Sequence, residues 1–404
     1  ADVTGTGPFT YYWEFNGSCS TATSSAASPN VYLGSPGDYT IDLWVENAIG
    51  ADTYSFILTI TEDTRWDTPV VLASPVGSSD EGVLEYIAGT PTVVWYNSDY
   101  HPYFTKALDA IGDTWSTPVA MQTIWGDNYR QYSLCEIGGT PAIAMYDPYG
   151  WTPFYNRSAL ADGSAWSTAL QVSADGSDPT LTTAAGLPVT TYRVDSKLYA
   201  RTGLDIDGTS WSGATTLDDQ TATGYYRQSA ELIGGDWALA YQGYNGLEVR
   251  LRYIHMQNDD GTDWTMPADM GISYSNMKSL SLAEVNGKPA VTHYNDNYSD
   301  RGIHYVQANN AEGSSWGTPI TLVDSTHFSS TEGVTVRLLY LRGKPIVFFT
   351  GGRFVEALDA DGTAWGEIQN TPTTPGTLLD AIAINDKAYI LYGAGSSLCL
   401  LREK

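Results

Sequence analysis

The sequence predicts an all-β protein in two parts. Residues 1–61 are expected to form a partial β-sandwich, and residues 62–404 a seven-bladed β-propeller with four-stranded blades. Three observations lead to this prediction. A tryptophan phrase recurs seven times at intervals of 45 to 53 residues, and a second phrase that reads as a turn and a strand keeps the same period. No stretch shows sustained helical periodicity, so almost no helix is expected.

The tryptophan phrase sets the period of the repeat. Each copy has a polar turn, a tryptophan and a polar stretch that ends in an apolar residue. A period of about 50 residues is typical of four-stranded propeller blades. We predict a structural role for these side chains, in which they cover the packing between blades at the wide rim. The seven tryptophans are Trp66, Trp115, Trp166, Trp211, Trp264, Trp316 and Trp365.

The second phrase is a turn followed by a strand that reads as buried. Its copies begin at Gly89, Gly139, Gly186, Gly235, Gly287, Gly343 and Asn385. The repeat region opens with a tryptophan phrase and closes with this second phrase and one further strand, Leu398 to Leu401. The first and last strands should therefore share a blade, with residues near Trp66 beside the strand near Cys399. Such closure leaves no long sheet edge unpaired.

The second copy shows how a blade divides into strands. The turn at Gly138 and Gly139 separates the first two strands, and Asp162-Gly163 precedes the tryptophan. In order from the channel outward, we predict strands at Tyr132–Ile137, Pro141–Tyr146 and Pro153–Ala159, and a fourth that starts at Trp166.

The N-terminal residues do not share this period. Tyr39, Ile41, Leu43 and Val45 alternate with polar residues and Trp44, which predicts a strand with one face toward a core. A last strand carries Phe56, Leu58 and Ile60 on one face. This pattern is typical of a small β-sandwich.

The same residues resemble the PKD domain, an immunoglobulin-like module of surface and secreted proteins. The resemblance lies in Tyr11-Tyr12-Trp13-Glu14-Phe15-Asn16-Gly17, set against the signature Tyr-x-Trp-Asp-Phe-Gly-Asp-Gly, and in Pro36-Gly37-Asp38-Tyr39-Thr40. Glu14 replaces the usual Asp, and the second acidic position is missing. The strands that the family places before this signature are absent from this sequence. The resemblance implies a role in spacing and adhesion, and no catalysis.

Residues 62–404 resemble the seven-bladed propellers of bacterial surface proteins. The resemblance lies in the Gly-x-Pro strands and in Asp-Gly-Thr turns before tryptophan, at Asp207, Asp260 and Asp361. These turns are similar to the Asp-box of sialidase-like propellers, which implies that the carboxylates bond turn amides. Calcium bound by Asp205 with Asp207, or by Asp359 with Asp361, is the weaker alternative. No other cofactor is predicted.

Composition limits the partners. With 46 acidic and 20 basic side chains the formal net charge is −26, which repels phosphate backbones and anionic membrane surfaces. We therefore expect no nucleic-acid partner and no membrane insertion. Two explanations of the acidic composition are open: solubility in an extracellular, secreted or cell-surface setting, which we favour, and a role in binding cations or basic partners. Cys19, Cys135 and Cys399 are too few for a disulfide framework, and buried side chains or a free thiol are expected.

Function should lie in the loops of one face. Loops that join the second strand to the third, and one blade to the next, gather there and carry exposed aromatic residues and arginines. Two near copies, Asp127–Gln131 and Gly224–Gln228, would point arginines at the channel mouth. Sugar stacking or peptide recognition would use such residues, and packing between loops is the alternative. The candidates are Trp125, Tyr129, Arg130, Tyr149, Trp151, Tyr225, Tyr226, Arg227, Tyr244, Tyr298 and Arg301, with Tyr100, His101 and Tyr274 on the same face.

No catalytic pattern is present in the sequence. It has no Gly-x-Ser-x-Gly, no His-Glu-x-x-His and no Cys or His spacing typical of a metal site, so no catalytic residue and no metal ligand is assigned. Only His293 and His304 are expected to be neighbours within one blade. The sequence favours a non-enzymatic adhesion module that binds a glycan or an extracellular protein. The alternatives are a structural part of a larger surface assembly, with other copies or domains as partners, and a glycan-cleaving enzyme.

Overall fold

The computed structural model describes residues 6–16, 22–29, 31, 37–60, 65–74, 76, 82–96, 101–121, 130–147, 150–220, 228–244, 248–273, 277–297, 300–328, 333–372 and 376–404. These residues form eight four-stranded antiparallel sheets and one short 3₁₀ turn, Ser325–His327. The near-absence of helix is thus confirmed for this part of the chain. Two compact units are present, Ala1–Arg65 and Trp66–Lys404. The predicted boundary at residues 61 and 62 lies outside the described residues.

The N-terminal unit contains one of the eight sheets. Its strands are β1 (Thr10–Asn16), β2 (Thr23–Ser24), β3 (Gly37–Glu46) and β4 (Ala51–Ile60), in the spatial order β2-β1-β3-β4. Trp13 and Phe15 of β1 pack with Ile41 and Leu43 of β3 in a small buried cluster. The alternation predicted for β3 is confirmed. The described residues of this unit provide one layer, and the second layer of a sandwich is not among them.

Strand β4 forms one edge of this sheet. It pairs with β3 over ten consecutive residues without a register shift, and Phe56 lies opposite Ile41 and Leu58 opposite Tyr39. The two side chains therefore share the face that β1 and β3 bury. Both remain 37% exposed, because β4 lies beyond the strands that form the buried cluster.

The second unit contains the other seven sheets of the described chain. Its strands, in chain order, are β5 (Val70–Ala73), β6 (Gly82–Ile87), β7 (Thr90–Tyr96), β8 (Pro102–Lys106), β9 (Val119–Ala120), β10 (Arg130–Ile137), β11 (Thr140–Asp147), β12 (Thr152–Arg157), β13 (Leu170–Gln171), β14 (Ser177–Ala184), β15 (Leu187–Val194), β16 (Lys197–Thr202) and β17 (Thr215–Asp218). They continue as β18 (Gln228–Ile233), β19 (Asp236–Tyr244), β20 (Val249–His255), β21 (Ala268–Ser273), β22 (Met277–Val285), β23 (Lys288–Asn295), β24 (Gly302–Gln307), β25 (Ile320–Asp324), β26 (Val336–Leu341), β27 (Lys344–Phe349), β28 (Arg353–Glu356), β29 (Gln369–Asn370), β30 (Thr377–Ile384), β31 (Lys387–Ala394) and β32 (Ser397–Arg402).

These seven sheets form a closed ring. Blades 1 to 6 begin at β6, β10, β14, β18, β22 and β26, and blade 7 has the order β30-β31-β32-β5. Each first strand contacts the first strand of the next blade, and β30 contacts β6. Closure occurs where it was predicted, since Val71 pairs with Cys399 and Trp66 bridges to Glu403. The two ends of this unit therefore share one blade, which is the arrangement of a closed propeller.

The fourth strand of each blade differs from the prediction. Trp166 makes an isolated bridge to Ser158, and β13 begins only at Leu170, so the expectation that the strand starts at the tryptophan is wrong. The other six tryptophans form the same kind of bridge. In four copies a proline stands three residues later, at Pro69, Pro118, Pro267 and Pro319. Proline has no N–H to donate, which explains why pairing is interrupted between bridge and strand in those copies.

The tryptophans pack between blades, as predicted. Trp166 of blade 2 meets Phe104 of blade 1 edge to face, with ring centroids 5.1 Å apart, and Trp365 meets Tyr305 in the same way at 5.1 Å. Gly163, in the turn before Trp166, has φ +71°, and a Cβ there would lie 1.9 Å from the Phe104 ring. The turn and the indole of one blade thus form a single surface that receives a ring from the blade before it.

Candidate functional site

The structure describes only some of the residues proposed for ligand binding. Trp151 and Arg301 are fully described, whereas only the backbone is described for Arg130 and Tyr244. Tyr244 ends β19, opposite Val249 of β20. The remaining candidates lie outside the described residues: Trp125, Tyr129, Tyr149, Tyr225, Tyr226, Arg227 and Tyr298, together with Tyr100 and Tyr274.

Trp151 is presented outward by the loop between β11 and β12. Its side chain is 58% exposed, and its φ of +50° is unusual for a bulky residue. The loop is nevertheless held in place. Gly176 N–H, at the entry to β14, donates a 2.6 Å hydrogen bond to the Trp151 carbonyl. The indole meets the Tyr146 ring at 67° with centroids 6.2 Å apart.

Arg130 belongs to the same corner of blade 2. It is the first residue of β10 and lies opposite Tyr146 of β11, with a register shift between Arg130 and Ser133. The sequence placed this arginine just before the innermost strand, and the structure places it inside the strand. The backbone of Arg130 and the side chain of Trp151 therefore both adjoin Tyr146. These two are the predicted residues that the structure brings together.

Arg301 occupies a separate place on the ring. It follows the loop between β23 and β24 in blade 5, and its Nε donates a 3.1 Å hydrogen bond to Asp296 Oδ1. Both side chains of this ion pair are mostly buried. Arg301 therefore helps to hold its own loop in shape. Blades 2 and 5 are three positions apart in the ring, so Arg301 and Trp151 do not share a corner.

The central channel is a cavity of about 1080 Å³ lined by the first strands of all seven blades. No pattern in the sequence indicates a site there. Acidic residues outnumber basic ones along its wall, which carries Glu85, Asp178, Glu231, Glu284, Asp296 and Asp380 against Lys278 and Arg337. The channel is therefore an enclosed space in which acidic side chains exceed basic ones.

Enclosure changes the titration of two channel carboxylates. Burial raises the pKa of Glu85 to about 8, and repulsion by Glu231 and Asp380 adds to this effect. Burial also raises the pKa of Glu231 to about 7, with Asp380 and Glu284 adding to it. Glu231 has exposed surface, but that surface faces the channel, so the surrounding protein still disfavours its charge. At neutral pH the channel therefore retains protons on part of its carboxyl groups.

Asp380 is fixed by a network rather than left free in the channel. Arg337 Nε donates to its Oδ1 at 2.5 Å, and the backbone N–H of Leu84 in the next blade donates to its Oδ2 at 2.9 Å. Four serines accept a backbone N–H from the next blade in the same way: Ser133 from Leu181, Ser229 from Leu282, Ser279 from Val336 and Ser281 from Leu338, at 2.9 to 3.0 Å. These bonds satisfy the edges of the innermost strands.

The aspartates of the tryptophan turns are structural. Asp205 accepts hydrogen bonds from the N–H and hydroxyl of Thr209 and of Ser210. The hydroxyl of Thr209 is the largest of the effects that lower the pKa of Asp205 to about 2. Asp359 makes the equivalent contacts in blade 6. The predicted role is therefore correct, but in these two turns it falls to the aspartate two residues earlier than the one named.

The aspartates that were named act differently from one another. Asp207 pairs with Arg157 of the preceding blade at 2.6 Å, and Asp361 accepts from Asn286 at 2.9 Å. Asp260 alone bonds its own turn, through Thr262. Calcium gains no support here, because the oxygens of Asp205 and Asp359 already bond turn donors. Within the described ranges no group of three or more His, Cys, Asp or Glu side chains is arranged to hold a metal ion.

Two histidines and two cysteines of the described chain are buried. His293 and His304 lie opposite each other on β23 and β24 and stack with centroids 5.2 Å apart, which confirms that they are neighbours. Burial lowers the pKa of His293 well below its ordinary value. Cys135 and Cys399 are buried free thiols, and burial raises the pKa of both. None of the four side chains faces a described opening.

Comparisons with known proteins show the fold. No family model matches the chain, and no curated protein matches it. Among solved structures, a polysaccharide lyase described as a PL25 ulvan lyase bound to -[GlcA(1-4)Rha3S]- is 12% identical, with 84% of this chain and 93% of that chain covered and a TM-score of 0.57. YCF48 bound to D1 peptide is 15% identical, with 85% and 96% covered and a TM-score of 0.53.

A NanB sialidase from Streptococcus pneumoniae is 9% identical, with 91% of this chain and 83% of that chain covered and a TM-score of 0.46. The first two similarities, at this level of identity, establish a β-propeller fold and nothing about activity. These structures include enzymes and a peptide-bound protein. The described residues form no helix that is long and apolar enough to cross a membrane.

Proposed function

We propose that this chain is a non-enzymatic binding module of a secreted or cell-surface protein. The loop-rich face of the propeller recognises a glycan or an extracellular protein, and the N-terminal unit, by its resemblance to a PKD domain, acts as a spacer. The observation that carries this proposal is the conformation of Trp151. A large indole is held outward by a backbone that few non-glycine residues adopt.

Among the nine non-glycine residues with positive φ in the described chain, Trp151 is the one aromatic residue. A non-glycine residue in the left-handed region costs about 1–3 kcal/mol, and an exposed indole contributes little burial in return. The Gly176 hydrogen bond and the Tyr146 ring fix the loop in this form, so the ring is preorganised before any ligand arrives. Residues held in this way are typical of ligand contacts, because a rigid aromatic surface binds at a low entropic cost.

The chemistry of Trp151 favours a flat, partly apolar ligand. The face of an indole packs against the C–H face of a sugar ring or against an apolar side chain. The net charge of −26 disfavours sulfated or uronic polymers, since like charges repel on approach. Two propellers of similar fold are bound to a sugar polymer and to a peptide, respectively. We therefore favour a neutral glycan, with a neutral or basic protein segment as the second candidate.

Binding to a glycan array tests the proposal. The full chain is expected to bind neutral glycans, and Trp151→Ala is expected to weaken binding at least about tenfold, because a central aromatic contact is worth roughly 2 kcal/mol or more. Trp44→Ala is the matched control, since Trp44 is also exposed but lies in the other unit. Arg130→Ala combined with Arg227→Ala tests the arginine pair.

Other outcomes would favour the alternatives. Binding that survives Trp151→Ala, or that is limited to sulfated or uronic glycans, contradicts the proposed site. Ordered assembly without any ligand favours a structural subunit, and release of product from an acidic polysaccharide favours a glycan-cleaving enzyme. Binding to a peptide array but to no glycan would select the protein ligand.

A further inference from the structure

Among the residues that the structure describes, nothing covers the long outer edge of β4. Residues 51 to 59 are exposed throughout, and within the described residues β4 pairs only with β3. Its exposed fractions are 67% for Tyr54 and 65% for Ile57, with Phe56 and Leu58 at 37% each. A strand edge with apolar side chains on both faces is a template for another strand.

Devices that normally protect such an edge are missing from β4. Soluble proteins place lysine, proline or a bulge on an exposed edge, or keep the edge strand short. β4 contains no lysine, arginine or proline, and its register with β3 is unbroken over ten residues. Its only charge is Asp52, near one end. The stretch from Thr53 to Ile60 carries no charge at all.

We propose that this edge is a homodimer interface, in which β4 of one copy pairs antiparallel with β4 of a second copy. The two sheets then form one eight-stranded sheet about a two-fold axis. Because a two-fold axis normal to the sheet keeps each face on its own side, the stripes of Tyr54, Phe56 and Leu58 from both copies join. If Phe56 lies at the axis, Tyr54 faces Leu58 of the second copy, and Asp52 faces Ile60. No like charges then stand opposite each other.

The charge of the strand identifies a second copy as the partner. A basic strand would gain nothing specific from residues 53 to 60, which carry no charge, whereas an identical strand matches their alternation residue by residue. The whole chain, at −26, repels its copy over a longer range. Salt screens that repulsion while the neutral edge is unaffected. Dimerisation should therefore strengthen as salt is added, which is opposite to the behaviour of a charge-driven complex.

The available area predicts a weak and reversible dimer. With about 200 Å² for a large side chain, the exposed fractions of Tyr54, Phe56, Ile57 and Leu58 amount to about 400 Å² per copy. Two copies, together with the paired backbone, reach the lower end of specific interfaces, about 1,000–1,200 Å². A dissociation constant in the micromolar range or weaker is expected, and the dimer should form at high protein concentration.

Sedimentation equilibrium of the full chain tests the proposal. The wild-type chain should shift from monomer to dimer with rising concentration, more so at high salt. Ile57→Lys places a charge on the edge and should raise the dissociation constant at least about tenfold. Tyr12→Lys is the matched control, because it makes the same change at an exposed aromatic residue of β1, away from the edge, and should leave the dimer intact.

Hydrogen exchange locates the contact. Amides of β4 should gain protection in the dimer, and circular dichroism checks that both variants are folded. A chain that stays monomeric at all concentrations and salts overturns the proposal. So does a dimer that survives Ile57→Lys, or one that protects propeller amides and not β4. These outcomes are independent of whether the loop face binds a glycan.

Discussion

The propeller and the N-terminal sheet differ in how they treat strand edges. In the propeller the outermost strands are two to six residues long, as in β9, β13 and β21, and backbone N–H groups of the innermost strands donate hydrogen bonds to side chains of the neighbouring blade. In the N-terminal sheet the edge strand β4 has ten residues and no such cover in the described chain. A closed ring thus bonds the backbone groups of its strand edges within the molecule, whereas an open sheet keeps unpaired N–H and C=O groups that a partner strand can bond.

Of the changes that test this difference, replacing the tryptophan at the ring closure should cause the largest loss of stability. Trp66 is 3% exposed and packs on Phe348 and Phe354 at 6.2 and 6.0 Å. Trp66→Ala is expected to lower the free energy of unfolding of the propeller by about 3–5 kcal/mol, because it leaves a cavity between the first segment of the propeller and blade 6. Calorimetry of the unfolding transition of the propeller measures this loss. Trp44→Ala, on the open sheet, should change stability by no more than about 0.5 kcal/mol, and an equal loss in both variants would contradict the comparison.

A smaller effect is expected from a methyl group placed between blades. Gly163→Ala puts a Cβ 1.9 Å from the Phe104 ring at φ +71°. Overpacking of about 1–3 kcal/mol should add to about 1–2 kcal/mol of backbone strain. Gly89→Ala is the matched control, since Gly89 has φ +81° and nothing within 4 Å of its Cβ position. Chemical denaturation compares the two. Equal losses would mean that contact between the blades adds nothing to the strain.

The smallest change in stability is expected from replacing Glu85, a carboxyl group in the central channel of the ring. The pKa of Glu85 is raised from 4.5 to about 8 in the folded chain, so the folded state binds a proton more tightly than the unfolded state. Glu85 therefore costs stability increasingly as the pH rises from about 4.5 through about 8. Glu85→Gln should raise the melting temperature relative to wild type by more at pH 8 than at pH 5.

Thermal scans at the two pH values measure the Glu85 effect. Glu46→Gln removes one exposed carboxylate from the open N-terminal sheet and serves as the control. A difference between Glu85→Gln and wild type that is the same at both pH values would show that the channel does not hold the proton. Such a result would remove the distinction between the enclosed channel and the open sheet.

The fold was predictable because its determinants are local and recur. A tryptophan turn such as Gly163 to Trp166 packs in a similar way in most blades, so its period revealed the blades and their closure. Bonds between blades, such as Ser133 to Leu181, were missed because they join residues that are 48 apart and show no local pattern. Their signal, a serine five residues before the turn at Gly138, Gly234 or Asn286, is visible only once the blades are aligned.

The candidate site was harder to predict for the opposite reason. Loops of the proposed binding face repeat only in part, so composition identified Trp151 as an exposed aromatic residue without indicating its φ. The pairing of Arg301 with Asp296 depends on the path of one loop. In the tryptophan turns, Asp205 and Asp207 are both plausible from the sequence, and only the direction of the chain decides which carboxylate meets the turn amides.

One junction of the ring differs from most of the others. In blades 1, 2, 4 and 5, Phe104, Tyr155, Tyr253 and Tyr305 meet the tryptophan of the following blade, but blade 3 has the small residue Ala200 at this position, three residues before the bridge at Gly203. Trp264 there packs near aliphatic residues such as Val189. A methyl group stands here where those four blades have an aromatic ring, so we expect local opening of the circle to begin between blades 3 and 4, on the side away from the strand that joins its two ends.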